Sequence, residues 1–162
     1  MQFSKSTDYA LHALFHLAYS ESNQNVGVKE LSSTLGVSES YLSKIMSKLR
    51  QDGIVRAVPG VKGGYELART PEQITFFDVI QVIEGRQQMF ECSNSKSQQH
   101  QLLANEGDGL EEQEQPKRNG CLIEQVMKGA EQRLYEYLQE KTIQFVVDEA
   151  IKRGWNPEAN KK

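Results

Sequence analysis

Cysteine is scarce in this chain: two in 162 residues, which cannot build a disulfide framework. No apolar run approaches the roughly 20 residues that a membrane-crossing helix needs. The N-terminal stretch MQFSKSTDYALHALF carries polar and acidic residues where a secretory leader is apolar. These absences predict a cytoplasmic protein with reduced thiols, no membrane partner and enough length to fold without staples. A strong net charge is missing too. The overall balance of -3 argues against an indiscriminate nucleic-acid binder, but it is unevenly spread. Residues 1–70 hold eight Lys/Arg against six Asp/Glu, and residues 71–162 hold eleven against sixteen, so the basic excess lies in the N-terminal half. Also absent are a Ser/His/Asp arrangement, a Walker-type nucleotide loop and a paired-carboxylate motif, and no enzyme is expected.

What is present is concentrated between Val37 and Arg69, VSESYLSKIMSKLRQDGIVRAVPGVKGGYELAR. A polar lead, an amphipathic helix, a glycine stop and two short strand-like runs around a Gly-rich, Lys-bearing turn follow in that order. This order is the pattern of a helix-turn-helix with a wing, in which the second helix enters the major groove of DNA and the wing tracks the backbone or the minor groove.

Upstream, Ala10, Ala13, Leu14, Leu17 and Ala18 form a helical stripe over residues 5–20, with Ser4 or Ser6 as N-cap. Lys5 at its start is a candidate phosphate contact. Asp8, His12 and His16 recur at i, i+4, i+8 on one side, and the spacing reads as surface or packing residues rather than a metal motif. Residues 21–27 form a turn. Val28–Leu35 is a short helix closed by Gly36, and Gly36, Val37 and Ser38 make the tight connection to the next helix. There Tyr41, Leu42, Ile45, Met46 and Leu49 supply the core stripe, with the Tyr41 hydroxyl free to turn outward. Glu39, Ser40, Ser43, Lys44, Ser47 and Lys48 face out, the hydroxyls suited to base edges or phosphates and the lysines to phosphates. In the wing, Lys62 offers charge, and Gly63 and Gly64 let the backbone approach DNA closely. A further helix spans Thr75–Glu84 on Phe76, Val79, Ile80 and Ile83, stopped by Gly85.

The Gln-, Ser-, Asn- and Glu-rich run from Ser93 to Asn119 predicts a long mobile loop. From Cys121 onward Ile123, Met127, Ala130, Leu134 and Tyr137 are spaced 4, 3, 4 and 3 apart, a heptad seam whose simplest use is pairing with a second copy. Thr142 caps a last helix containing Ile143, Val146, Val147, Ala150 and Ile151. The expected organisation is therefore mainly α with a small β-wing: a winged helix-turn-helix domain over 1–85, a flexible loop over 86–120 carrying Cys92, dimerisation helices over 121–154 and a loose tail over 155–162.

The combination of DYAL, VKEL, VSESYLSKIMSKL, the GGYELAR wing exit and DVIQVIEG closely resembles the BadM/Rrf-type family of bacterial winged-helix transcriptional regulators, over roughly residues 1–92. The resemblance implies a homodimeric repressor or activator on an imperfect DNA palindrome, and a repressor is the leading expectation. It would set Ser38, Ser40, Tyr41, Ser43 and Lys44 at or near the major groove, and Lys62, Gly63 and Gly64 in the wing. Pro59 stands where many relatives carry an arginine before the first wing glycine, so wing readout is expected to differ. Family members with an iron-sulfur cluster usually cluster three cysteines after the reader. Here there are only Cys92 and Cys121, with 28 residues between them. The leading expectation is a redox sensor of these two thiols with no cofactor. The alternatives are an iron-sulfur cluster held by Cys92, Cys121, Asp8 and a histidine, and control by a small effector or a protein partner. Outside this class stands a winged-helix protein-interaction module, which the acidic C-terminal half would suit.

Overall fold

A computed structural model describes residues 2–20, 25–86, 88–104 and 121–156. The chain divides into two units, one formed by Met1–Arg86 with Tyr137–Lys162 and the other by Gln87–Glu136.

The first unit is built around helix α1, Lys5–Tyr19, which Ser4 caps by accepting from the Thr7 amide. Ala10, Ala13, Leu14 and Leu17 lie on one stripe and are buried, as the 3–4 periodicity requires. Helix α2, Val28–Leu35, ends at Gly36, whose φ of 65° is the left-handed geometry that glycine adopts without a Cβ clash. Helix α3, Glu39–Gln51, starts on Ser38, whose hydroxyl accepts from the Tyr41 amide, and sinks Leu42, Ile45, Met46 and Leu49 into the core. Strands β1, Val55–Val58, and β2, Gly64–Leu67, pair antiparallel with Arg56 opposite Glu66. Val26 adds a short third edge through reciprocal backbone bonds with Tyr65 of 2.9 and 2.8 Å.

After a single 3-10 turn at Pro71–Gln73 comes helix α4, Phe76–Glu84. Thr75 and Asp78 close its start as a reciprocal capping box. Helix α7, Ile143–Lys152, begins on Thr142 and is fastened beside the start of α4 by the Thr75–Thr142 bridge and a 2.9 Å bond from the Ile143 amide to the Ile74 carbonyl. Its Ile143 and Val147 are buried, and it packs on α1. Residues 121–154 are expected to hold the dimerisation helices, and within them α7 sends Ile143 into the core of the first unit. Trp155, the first residue of the expected tail, has its ring 3.6 Å from that of Tyr19 and 5.2 Å from that of Phe15. Residues 157–162 lie outside the described residues.

The second unit differs from the expected uninterrupted loop. Ser97 caps a short helix α5, Gln98–Leu103, by accepting from the His100 amide. A polar composition hid this helix, because six residues bury no stripe that periodicity can register. The rest of the expected loop, residues 105–120, lies outside the described residues. Helix α6, Leu122–Glu140, then follows and contains no buried residue. Leu122, Ile123, Val126, Met127 and Tyr137 are all exposed along it. Its C-terminal residues from Tyr137 count with the first unit. Among the described residues no helix is long and apolar enough to cross a membrane.

Candidate functional site

Helix α3 buries one stripe and so must present the other. Ser38, Ser40 and Lys44 are exposed there, with Ser43 and Ser47 half-buried between them. The first turn of α3 points its unpaired amides outward, and a phosphate at that end meets the positive pole of the helix. Lys5 is exposed in the first turn of α1. Two residues expected on this face have partners within the fold. The Tyr41 hydroxyl shares a 2.8 Å hydrogen bond with Ser6 Oγ, and its ring stands edge-on to Tyr9 with centroids 5.8 Å apart. Tyr41 thereby ties α3 to α1. Lys48 directs its Nζ to the Ile83 carbonyl at 3.4 Å, near the end of α4.

The wing is held by contacts that the sequence does not advertise. Arg56 and Glu66 form an ion pair across the two strands. Arg69 donates to the Asp52 carbonyl at 2.7 Å and the Gly53 carbonyl at 3.2 Å, fastening the wing exit to the end of α3. Asn25 Nδ2 donates to the Lys62 carbonyl at 2.6 Å, which fixes the turn while the Lys62 side chain stays exposed. Val61 is fully exposed at the same tip. Gly63 and Gly64 have a structural cause. A Cβ on Gly63 would strike the Val58 carbonyl, and one on Gly64 would strike the Val26 carbonyl, so Gly63 lets the wing turn pack on itself and Gly64 lets β2 pack on the segment ahead of α2.

At the start of α1, Glu84 accepts from the Thr7 hydroxyl at 2.6 Å and the Ser4 amide at 2.7 Å. The Thr7 hydroxyl, seconded by the Ser4 amide, holds the Glu84 carboxyl below its ordinary range against the opposing effect of burial. Asp8 is exposed and paired with His12 at 3.1 Å. Half-buried His16 has its pKa lowered, chiefly because burial disfavours the imidazolium.

In the second unit the two cysteines come together with a residue that sequence reading did not single out. Cys92 Sγ and Cys121 Sγ are 4.0 Å apart, and His100 Nδ1 is 3.3 Å from Cys92 Sγ. Both cysteines are unbridged. Cys121 is 2% exposed, whereas Cys92 and His100 are half-buried. The three side chains line a cavity of about 160 Å³ with Phe90, Ser93 and Leu103 on its walls. Helix α5 is what delivers His100, at the third residue after its Ser97 cap. No local motif marks this group, because Cys121 joins it only through the fold.

Comparison with known proteins follows the same lines. The Rrf2 family model, described as an iron-dependent transcriptional regulator, matches residues 3–149. YwgB of Bacillus subtilis, by name an HTH-type transcriptional regulator, is 29% identical over 148 residues, covering 91% of this chain and 85% of its own. The structure of CymR, the global cysteine regulator of B. subtilis, superposes with a TM-score of 0.64 at 26% identity, over 91% of this chain and 97% of CymR. That of T. potens IscR superposes with a TM-score of 0.67 at 25% identity, over 100% of this chain and 93% of IscR.

Proposed function

This chain belongs to the Rrf2 family of winged-helix transcriptional regulators, and we propose that it is a dimeric repressor whose hold on a palindromic operator is set by the oxidation state of Cys92 and Cys121. The reading head is the outward face of α3 together with the Lys62-bearing wing. Ser40 and Ser43 address base edges, while Lys44, Lys62 and Lys5 address phosphates and fix the register. Ser38 and Tyr41 act one step back: the first caps the helix, and the second anchors it to α1. The serines and lysines of the outward face from Ser40 to Lys48 favour DNA over a protein partner as its occupant.

Dimerisation is assigned to α6. A 19-residue helix with no buried residue and a row of exposed apolar side chains loses that surface to water unless another helix covers it. A second copy supplies a helix with the same heptad seam. One reading head has too few contacts to select an operator, so the pair reads two half-sites whose spacing the dimer sets.

The observation that carries the regulated part is the 4.0 Å separation of the two sulfurs. A disulfide needs them about 2.05 Å apart, so a small rearrangement suffices. With a peroxide as oxidant, the two thiols give up two electrons and two protons, an S–S bond forms, the O–O bond breaks and two waters leave. Helix α6 starts at the residue after Cys121, so the change reaches the pairing helix along a continuous backbone. The test is operator affinity of the reduced chain, of the peroxide-treated chain and of Cys92→Ser treated alike. We expect at least a tenfold difference between the first two that Cys92→Ser abolishes. Equal affinities in the reduced and oxidised wild type would remove the redox control.

The family description names iron. An iron-sulfur cluster spreads its protein ligands over two or more irons, so ligands of different irons stand on opposite sides of an iron and sulfide core. Here the donor atoms of Cys92, His100 and Cys121 all lie within 4.8 Å of one another. Asp8, the carboxylate expected to complete a cluster, is exposed and paired with His12. The three donors suit a single tetrahedral ion, and no step of the switch runs through a cluster.

A further inference from the structure

We propose that Cys92, His100 and Cys121 form a mononuclear binding site for a thiophilic divalent ion of the zinc type, with the fourth coordination position open to the adjoining cavity. The site involves the same thiols as the redox switch and rests on that reading only for its regulatory meaning; ion binding is tested separately.

The distances carry the assignment. Two sulfurs on one tetrahedral ion, each about 2.3 Å from it, stand about 3.8 Å apart, and a sulfur and an imidazole nitrogen stand about 3.5 Å apart. The structure has 4.0 Å between Cys92 Sγ and Cys121 Sγ, and 3.3 Å between Cys92 Sγ and His100 Nδ1. A thiol–imidazole hydrogen bond explains the second distance alone. It does not require a third soft donor within 4.8 Å of both atoms, which Cys121 provides from a nearly fully buried position.

Two thiolates and one imidazole suit zinc, which tolerates tetrahedral geometry without electronic preference and pairs with sulfur and nitrogen. On binding, each thiol releases its proton to solvent and His100 offers the lone pair of Nδ1. A fourth protein ligand is absent among the described residues of the group, and the cavity of about 160 Å³ beside it has room for water or a small exogenous ligand. Sites with three protein donors and an open position exchange that fourth ligand, whereas purely structural sites are closed. The ion would hold Cys92 and Cys121 together across the polar segment between them. It would also withhold both thiolates from an oxidant, so that disulfide formation and ion release become one event.

The test is cobalt(II) titration of the reduced, metal-free full-length chain under anaerobic conditions. The expected result is saturation at one ion per chain, with a thiolate-to-cobalt charge-transfer band and the intense visible bands of a tetrahedral site. Zinc(II) should bleach these bands. Cys92→Ser and His100→Ala should each weaken cobalt binding about 100-fold or more, beyond the 10–100-fold that outer partners of a ligand are worth. Circular dichroism checks that both variants fold. Independently of any variant, X-ray absorption of the zinc-loaded wild type should give two sulfurs at about 2.3 Å and one nitrogen at about 2.0 Å. An oxygen-only shell, cobalt bands that survive Cys92→Ser or His100→Ala, or stoichiometric iron with acid-labile sulfide on these residues would overturn the site. Operator affinity of the metal-free chain, reduced against peroxide-treated, fails or succeeds independently and so separates the ion from the redox switch.

Discussion

The Tyr41 hydroxyl decides how α3 is held. Tyrosine on a reading helix invites a base or phosphate contact, but here the hydroxyl is bonded to Ser6 and the ring to Tyr9. Tyr41→Phe should therefore lower stability by about 1 kcal/mol, the worth of one such hydrogen bond, and leave operator preference unchanged. Urea unfolding and competition between operator variants check the two halves of that statement. A change of base preference at constant stability would return Tyr41 to the groove. Glu84 makes a second residue-level prediction. Its folded-state carboxyl sits below the ordinary value of 4.5, so folding favours the charged form. That contribution is full above the unfolded value and is lost as pH falls through the folded one. Glu84→Gln should cost about 1–2 kcal/mol in urea unfolding at pH 7, and the gap to wild type should close as pH drops below about 4.5. At this scale the sequence was legible where one face of one element decides the outcome, as with Leu42, Ile45, Met46 and Leu49. It was not legible where a partner lies far along the chain. Tyr41 meets Ser6, Gly64 meets Val26, and His100 joins Cys121, and no spacing announces any of these. Gly63 and Gly64 were expected to let the backbone approach DNA, and the close approaches the structure displays are of Gly63 to the Val58 carbonyl within the wing and of Gly64 to the Val26 carbonyl ahead of α2.

Among the elements, the two C-terminal helices have similar patterns and different fates. Both α6 and α7 are amphipathic, and the sequence assigned them together to dimerisation. Helix α7 is capped by Thr142, bridged to Thr75 and buried on Ile143 and Val147, whereas α6 buries nothing. Periodicity shows that a face will be covered without showing by what, and the difference lies in the short backbone bridge that pins α7 beside α4. The consequence for α6 is measurable. Val126, 71% exposed, sits amid the apolar row, and Val126→Glu would place a charge in any helix pair formed there. Sedimentation should show the variant shifted to monomer at micromolar concentration, with operator affinity reduced at least tenfold and thermal stability of the monomer little changed. A variant that remains dimeric would place the pairing surface elsewhere.

Taken whole, the molecule combines a basic-leaning reader with a more acidic remainder, and its overall charge of -3 does not draw it to DNA indiscriminately. Binding must come from a few well-placed cations and from the doubling that a dimer provides. Lys44 on α3 and Lys62 on the wing are exposed and suited to that task. The most direct measurement is fluorescence anisotropy of the reduced, full-length chain on a fragment of the promoter it controls, over a series of salt concentrations and against an unrelated duplex. The expected result is binding at least about 1,000-fold tighter to the promoter fragment, weakening steeply with salt, and a salt slope reduced by about 1 in Lys44→Ala and in Lys62→Ala. Equal affinity for both duplexes, or a slope that neither substitution alters, would contradict the assignment of this helix and wing as the operator reader.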